Sequence, residues 1–172
     1  MRVRELSQQE TFPHPDESQK PLESSQVVMA ITDHLTGDHR LVSYAARFTD
    51  TQGDLILTHV EDLSTFERYV TTIGKIPSID TDSAHEAIRE QLLKEPRQYI
   101  ASCRDVLHST GLSLNVREVV MLGHQLSDYR RLIEINDVDL LVLNSKDDQQ
   151  MAMHGLAYPL TVELRQTPML LL

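Results

Sequence analysis

Val27-Val28-Met29-Ala30-Ile31 is apolar at every position and stops at Thr32-Asp33. A strand with one wet face alternates, and this run does not. It has to be covered on both sides, as a strand in a parallel sheet clothed by helices is. Further apolar runs follow at Leu55-Ile56-Leu57-Thr58-His59-Val60, at Leu140-Leu141-Val142-Leu143 and at Met169-Leu170-Leu171-Leu172, while Leu112 to Leu122 alternates at first, at Leu114 and Val116, and turns apolar at Val119-Val120-Met121. Between them apolar residues recur at helical spacing: Leu41, Ala45 and Phe48; Ile100, Cys103 and Leu107; Tyr129, Leu132 and Ile133. The pattern predicts an α/β fold with five mainly parallel strands near 26–32, 54–60, 112–121, 139–143 and 168–172, and helices on both faces. The first βαβ crossover is expected to be right-handed.

Local signals refine this. Thr36 and Ser127 are expected helix N-caps. Thr51-Gln52-Gly53-Asp54 reads as a turn, and 62–72 as a short helix. Ser83-Ala84-His85-Glu86 spells a capping box opening a long helix, which Pro96 is expected to kink or break near Glu95. Gly111 is its expected C-cap, Asp137 ends the helix that begins near Ser127, and a last helix lies near Pro159. Cys103 reads as a small core residue.

Residues 1–25 are polar, with Pro13, Pro15 and Pro21 among them, and are read as a flexible tail preceding a domain at 26–172. A net charge of -10 argues against nucleic acid and anionic membrane as partners. The single cysteine leaves no intramolecular disulfide, and no apolar run is long enough to span a bilayer. A cytoplasmic location is expected.

In a parallel sheet, ligands bind beyond the carboxyl ends of the strands. That edge should gather Asp33-His34, His59 and Gly123-His124, with Asp147 and His154 near it. No compact metal-ligand spacing accompanies these residues, so they read as hydrogen-bonded or solvated histidines and no metal is assigned. His34-Leu35-Thr36-Gly37-Asp38-His39 lacks the His-x-Gly-His spacing of nucleotidyltransferases. No Gly-x-Ser-x-Gly elbow occurs, and no catalytic residue is assigned. Glu61-Asp62 and Asp147-Asp148 read as solvated loop residues.

The order of landmarks resembles the universal stress protein family. The first strand ends Ala30-Ile31-Thr32-Asp33, the first helix carries Tyr44-Ala45-Ala46, and the second strand ends His59-Val60. Gly123 closes the third strand, Asp139-Leu140-Leu141-Val142-Leu143-Asn144-Ser145 follows, and Pro168-Met169-Leu170-Leu171-Leu172 ends the chain. The resemblance implies a three-layer α/β/α sandwich of the adenine nucleotide alpha hydrolase-like type, strand order 3-2-1-4-5. It also implies a ligand crevice at Thr32, Asp33, Val60, Gly123, Asn144, Ser145 and Gly155, where the Asp33 position and the backbone near Val60 face adenine and ribose. Family members often bind ATP through Gly-x-x-Gly, about nine residues, then Gly-Ser or Gly-Thr, whose N–H groups cradle phosphates. Here Asn144 and Asp147 replace the glycines, Leu156 replaces the hydroxyl residue, and Pro159 lacks an N–H. Asp148 adds repulsion, and Lys146 is the one cation in that loop.

The expectation is a non-catalytic, dimeric, regulatory stress-response module with weak or no ATP binding and no required cofactor. Its homodimer forms through strand 168–172, and a regulatory protein partner is expected. The alternative is an ATP- or AMP-binding stress protein with an altered loop and weak ATP hydrolysis. A third is a small metal- or nucleotide-dependent enzyme at the same crevice.

Overall fold

Successive residues of a strand point to opposite faces, and the first strand uses both. In the computed structural model, which describes residues 24–33, 35, 39–76, 80–145 and 156–172, β1 spans Ser25–Ile31. Val28 and Ala30 enter one apolar cluster, with Leu41, Ala45, Leu55, Leu57, Ile100 and Val142. Met29 and Ile31 enter the other, with Ile56, Tyr129, Ile133, Leu141 and Leu160. Each fully buried aliphatic side chain contributes about 1.5–3 kcal/mol to folding. The two clusters lie on opposite faces of the sheet, so the molecule has three layers.

The remaining elements are α1 (His39–Phe48), β2 (Thr49–Asp62), α2 (Leu63–Ile73), α3 (Thr81–Ser109), β3 (Asn115–Gly123), α4 (Gln125–Ile135), β4 (Leu140–Leu143), α5 (Ala157–Glu163) and β5 (Met169–Leu171). The sheet is parallel throughout, in the order β3-β2-β1-β4-β5. The expected five strands and their order are both present. Helices α1 and α3 cover one face, α4 and α5 the other. Asp139 locks β4 to β1 from both sides of its backbone: its N–H donates to the Val27 carbonyl, and its carboxylate accepts the Val27 N–H, each at 2.9 Å.

Several local expectations are corrected. Thr51-Gln52-Gly53-Asp54 is not a separate turn but a bulged part of β2: Ser25 pairs with Thr49 and Val27 with Asp54, so two steps of β1 face five of β2. Gln52 takes up the excess at φ 68, and Gly53 packs against the Gln26 carbonyl where no Cβ fits. Helix α3 starts two residues before Ser83, with Asp80 as N-cap, so the capping box is not used. Pro96 lies inside α3 without ending it. Its fixed φ suits a helix, the lost donor concerns only the Leu92 carbonyl, and the ring is buried on the same stripe as Leu93 and Ile100. Ser127 is not a cap; His124 is the N-cap of α4, and the Ser127 hydroxyl donates to the His124 carbonyl. Glu61 and Asp62 are not loop residues but end β2. Asp62 caps α2, its carboxylate accepting the Ser64 N–H at 3.0 Å and the Ser64 hydroxyl.

Thr110, not Gly111, is the C-cap of α3, and Gly111 follows it at φ 74. Other expectations hold. Asp137, at φ 48, turns the chain after α4. Thr36 and residues 1–23 lie outside the described residues. No described helix is long and apolar enough to cross a membrane.

Candidate functional site

The strand registers assemble the carboxyl edge. Ala30 pairs with Val142 and Ile31 with Thr58. Two residues further on, Thr32 is level with Asn144 and Asp33 with Val60. Gly123 lies one strand out, paired with Asp62. The edge therefore brings together Thr32, Asp33, Val60, Asn144 and Ser145, with Gly123 beside them. Gly155, His34, His154, Lys146, Asp147 and Asp148 lie outside the described residues.

Hydrogen bonding shows how much of this edge is already committed. Thr32 is fully buried, and its N–H and hydroxyl both donate to the Thr58 carbonyl, at 2.9 and 3.1 Å. The Thr58 hydroxyl returns a bond to the Ala30 carbonyl. Beyond Ile31 the β1–β2 ladder gives way to side chains. His59 is buried, and its Nδ1 lies 2.6 Å from the Thr32 carbonyl. A carbonyl only accepts, so Nδ1 is the donor of this bond. Nε2 faces the Glu61 carboxylate at 3.1 Å. Both ring nitrogens of His59 are thus occupied, which makes it a brace between strand ends. No group of three or more metal-ligating side chains forms among the described residues.

Val60 is the telling position. Residues of a parallel strand direct their main-chain groups alternately to the two neighbours. Thr58 faces β1, so Val60 also faces β1, at the level where that strand has ended. Its N–H and C=O should be open there, for a ligand or for the protein itself. The Val60 N–H donates to the Tyr129 hydroxyl oxygen at 2.9 Å, and the Val60 carbonyl accepts the Gln125 side-chain N–H at 3.0 Å. Tyr129 is fully buried, one helical turn after Gln125 on α4.

Gly123 makes that approach of α4 possible. A Cβ there would overlap the Asp128 carboxylate and press on Val60 Cγ1 at 3.3 Å. Asp128 in turn accepts the His124 N–H at 2.8 Å, satisfying the start of α4 from within its first turn. At the other side, Ser145 donates through both its N–H and its hydroxyl to the Leu172 carbonyl, at 2.8 Å each. An N–H at the head of the loop after β4 is therefore spent on the C-terminal strand. Leu156 is the N-cap of α5 with no side-chain cap bond, and Pro159 sits in the helix's first turn.

Tyr129 and Gln125 were not among the site residues expected from sequence, where Tyr129 reads only as part of an apolar helix stripe. Their role depends on a meeting of α4 with β2 across 69 and 65 residues, and no local pattern encodes it.

No protein-family model matches the chain, and neither does any curated relative. Solved structures do. The hypothetical protein MJ0577 superposes with a TM-score of 0.66 at 14% identity, covering 87% of this chain and 96% of that one. Universal stress protein UspA from Lactobacillus plantarum gives 0.61 at 12% identity, covering 87% and 98%. A universal stress protein solved in complex with cAMP gives 0.57 at 16% identity, covering 87% and 98%. The chain has the universal stress protein fold.

Proposed function

We propose that the chain is a universal stress protein-like, non-catalytic binding module of the stress response, working in the cytoplasm as a homodimer and with weak or no affinity for ATP. The observation that carries the nucleotide part is the closure of Val60. In the family this stretch of backbone faces adenine, and here both of its polar groups are held by Gln125 and Tyr129. The engagement of Ser145 with Leu172 and the substitutions Asn144, Asp147, Leu156 and Pro159 point the same way.

The dimer reading rests on β5. Its bonds to β4 run through Pro168 and Leu172, so alternation turns the main-chain groups of Met169 and Leu171 to the open edge, where the Leu171 side chain is 43% exposed. An apolar edge strand invites pairing, and a second copy across a two-fold axis supplies it. Regulation then passes through a protein partner recognised by the dimer.

A second reading keeps nucleotide binding, and the cAMP complex of a protein with this fold favours it. Calorimetric titration with ATP, AMP and cAMP, with and without Mg²⁺, separates the two. The first reading predicts no saturable binding at micromolar nucleotide; micromolar affinity for any of the three overturns it.

A further inference from the structure

Helices α1 and α3 lie on the same face of the sheet and leave between them a groove of about 330 Å³. Val42, Ala46, Val106, Leu107 and Leu112 form its apolar surface. Val42 and Ala46 lie one turn apart on α1, Val106 and Leu107 lie one turn after Cys103 on α3, and Leu112 comes from the chain just after α3, so the groove runs between two helix stripes. Single exposed apolar residues are ordinary, but Val106 at 62% and Leu112 at 47% exposure converge on one concavity.

The polar groups of the lining are selective. The chain carries 26 Asp and Glu residues, yet none of the twelve residues lining this groove is acidic. Arg47 and His39 stand among them, and Arg47, in the last turn of α1, makes no ion pair among the described residues. Against a net charge of -10, this is a local reversal of sign beside an apolar floor. An anionic head with an apolar body matches both parts. The volume corresponds to about eleven water volumes, taking roughly 30 Å³ for each. That is room for about ten non-hydrogen atoms, the size of a small amphipathic molecule.

We propose that the α1–α3 groove is a binding site for a small amphipathic monocarboxylate, its chain or ring lying on Val42, Ala46, Val106 and Leu112 and its carboxylate held by Arg47. The guanidinium supplies two parallel donors to a carboxylate, and the apolar floor supplies burial. The site shares no residue with the carboxyl-edge crevice, and it stands whether or not that crevice takes a nucleotide.

The test uses the full chain with octanoate as probe and 1-octanol as its neutral counterpart. NMR shifts of Val42, Ala46, Val106 and Leu112 are followed in each titration, on the unmodified protein and on Arg47→Gln. Arg47 is exposed, so the variant is expected to melt at the unmodified temperature. The expected result is a saturable shift at these residues with octanoate, weakened about tenfold in Arg47→Gln, and a correspondingly weaker response to octanol that the substitution leaves unchanged. Alkylation of Cys103, which also lines the groove, should slow when octanoate is bound. Equal binding of octanoate and octanol overturns the proposal, as does the absence of saturable shifts at the groove. Nuclear Overhauser contacts from residues 1–23 to Val106 and Leu112 would give the groove to the chain itself. A dimer dissociated by Val106→Asp would give it to a second copy. Either outcome also overturns the proposal.

Discussion

The Tyr129 hydroxyl lies 2.9 Å from the Val60 nitrogen and accepts its N–H, where β1 has ended and can no longer do so. The bond is buried at both ends. It does for β2 what another strand or a ligand would otherwise do. It also holds α4 over the carboxyl edge.

Tyr129→Phe keeps the ring and removes the hydroxyl that accepts the Val60 N–H. The Val60 N–H is then buried and unsatisfied, which costs about 1–3 kcal/mol. Urea unfolding should show a lower midpoint with an unchanged slope. An unaltered midpoint would mean that the bond contributes nothing and that the edge is not braced as described.

Gly123→Ala places a methyl group where the Asp128 carboxylate lies, and Val60 Cγ1 allows it little room. The expected response is displacement of Asp128, loss of its bond to the His124 N–H and a drop in melting temperature of several degrees, from an effect of about 1–3 kcal/mol. The double variant Gly123→Ala, Asp128→Ala should recover part of the loss that overlap causes. If the second substitution only adds to the damage, the close approach of Gly123 to Asp128 is not the cause.

Asp62 caps α2, and the Ser64 hydroxyl and N–H hold its carboxyl below the usual aspartate range. Because the folded value is depressed, the stability it contributes is complete above the ordinary aspartate range and is lost as the pH falls through that range to the folded value. Asp62→Ala should cost about 1 kcal/mol near neutrality, as loss of an N-cap does. The gap from the unmodified protein should narrow as the acid limb is approached. A gap that is constant from neutral pH to pH 3 would contradict the assignment.

Leu171 is the exposed side chain of β5, whereas Leu170 and Leu172 pack against the α1–α3 cluster. Leu171→Lys therefore charges the open edge without removing core. Sedimentation should show a dimer for the unmodified chain and a monomer for the variant. A well-behaved monomer for the unmodified chain at micromolar concentration would eliminate the β5 dimer.

The sheet was legible because its strands announce themselves: a run such as Leu140 to Leu143, buried at all four positions, has few other places to go. What sequence misjudged were places where tertiary packing overrules a local rule. Pro96 is tolerated inside α3 because its ring joins the buried stripe of Leu93 and Ile100. Glu61 and Asp62 look like solvated acids until His59 and the start of α2 are placed beside them. The crevice was legible as a set of strand ends, and the register brings Thr32, Asp33, Val60, Asn144 and Ser145 to one edge. That these groups are engaged internally was not legible, since Gln125 reaches Val60 across 65 residues and Ser145 reaches Leu172 across 27.

The most direct measurement is the backbone amide of Val60 in a ¹⁵N-labelled sample of the unmodified protein, titrated with Mg²⁺-ATP. If Tyr129 and Gln125 hold the Val60 backbone, this amide stays in place and exchanges slowly with solvent throughout, up to millimolar nucleotide. A shift of the Val60 signal that saturates at micromolar ATP would show that adenine displaces Tyr129 and Gln125, and that the crevice is a working nucleotide site.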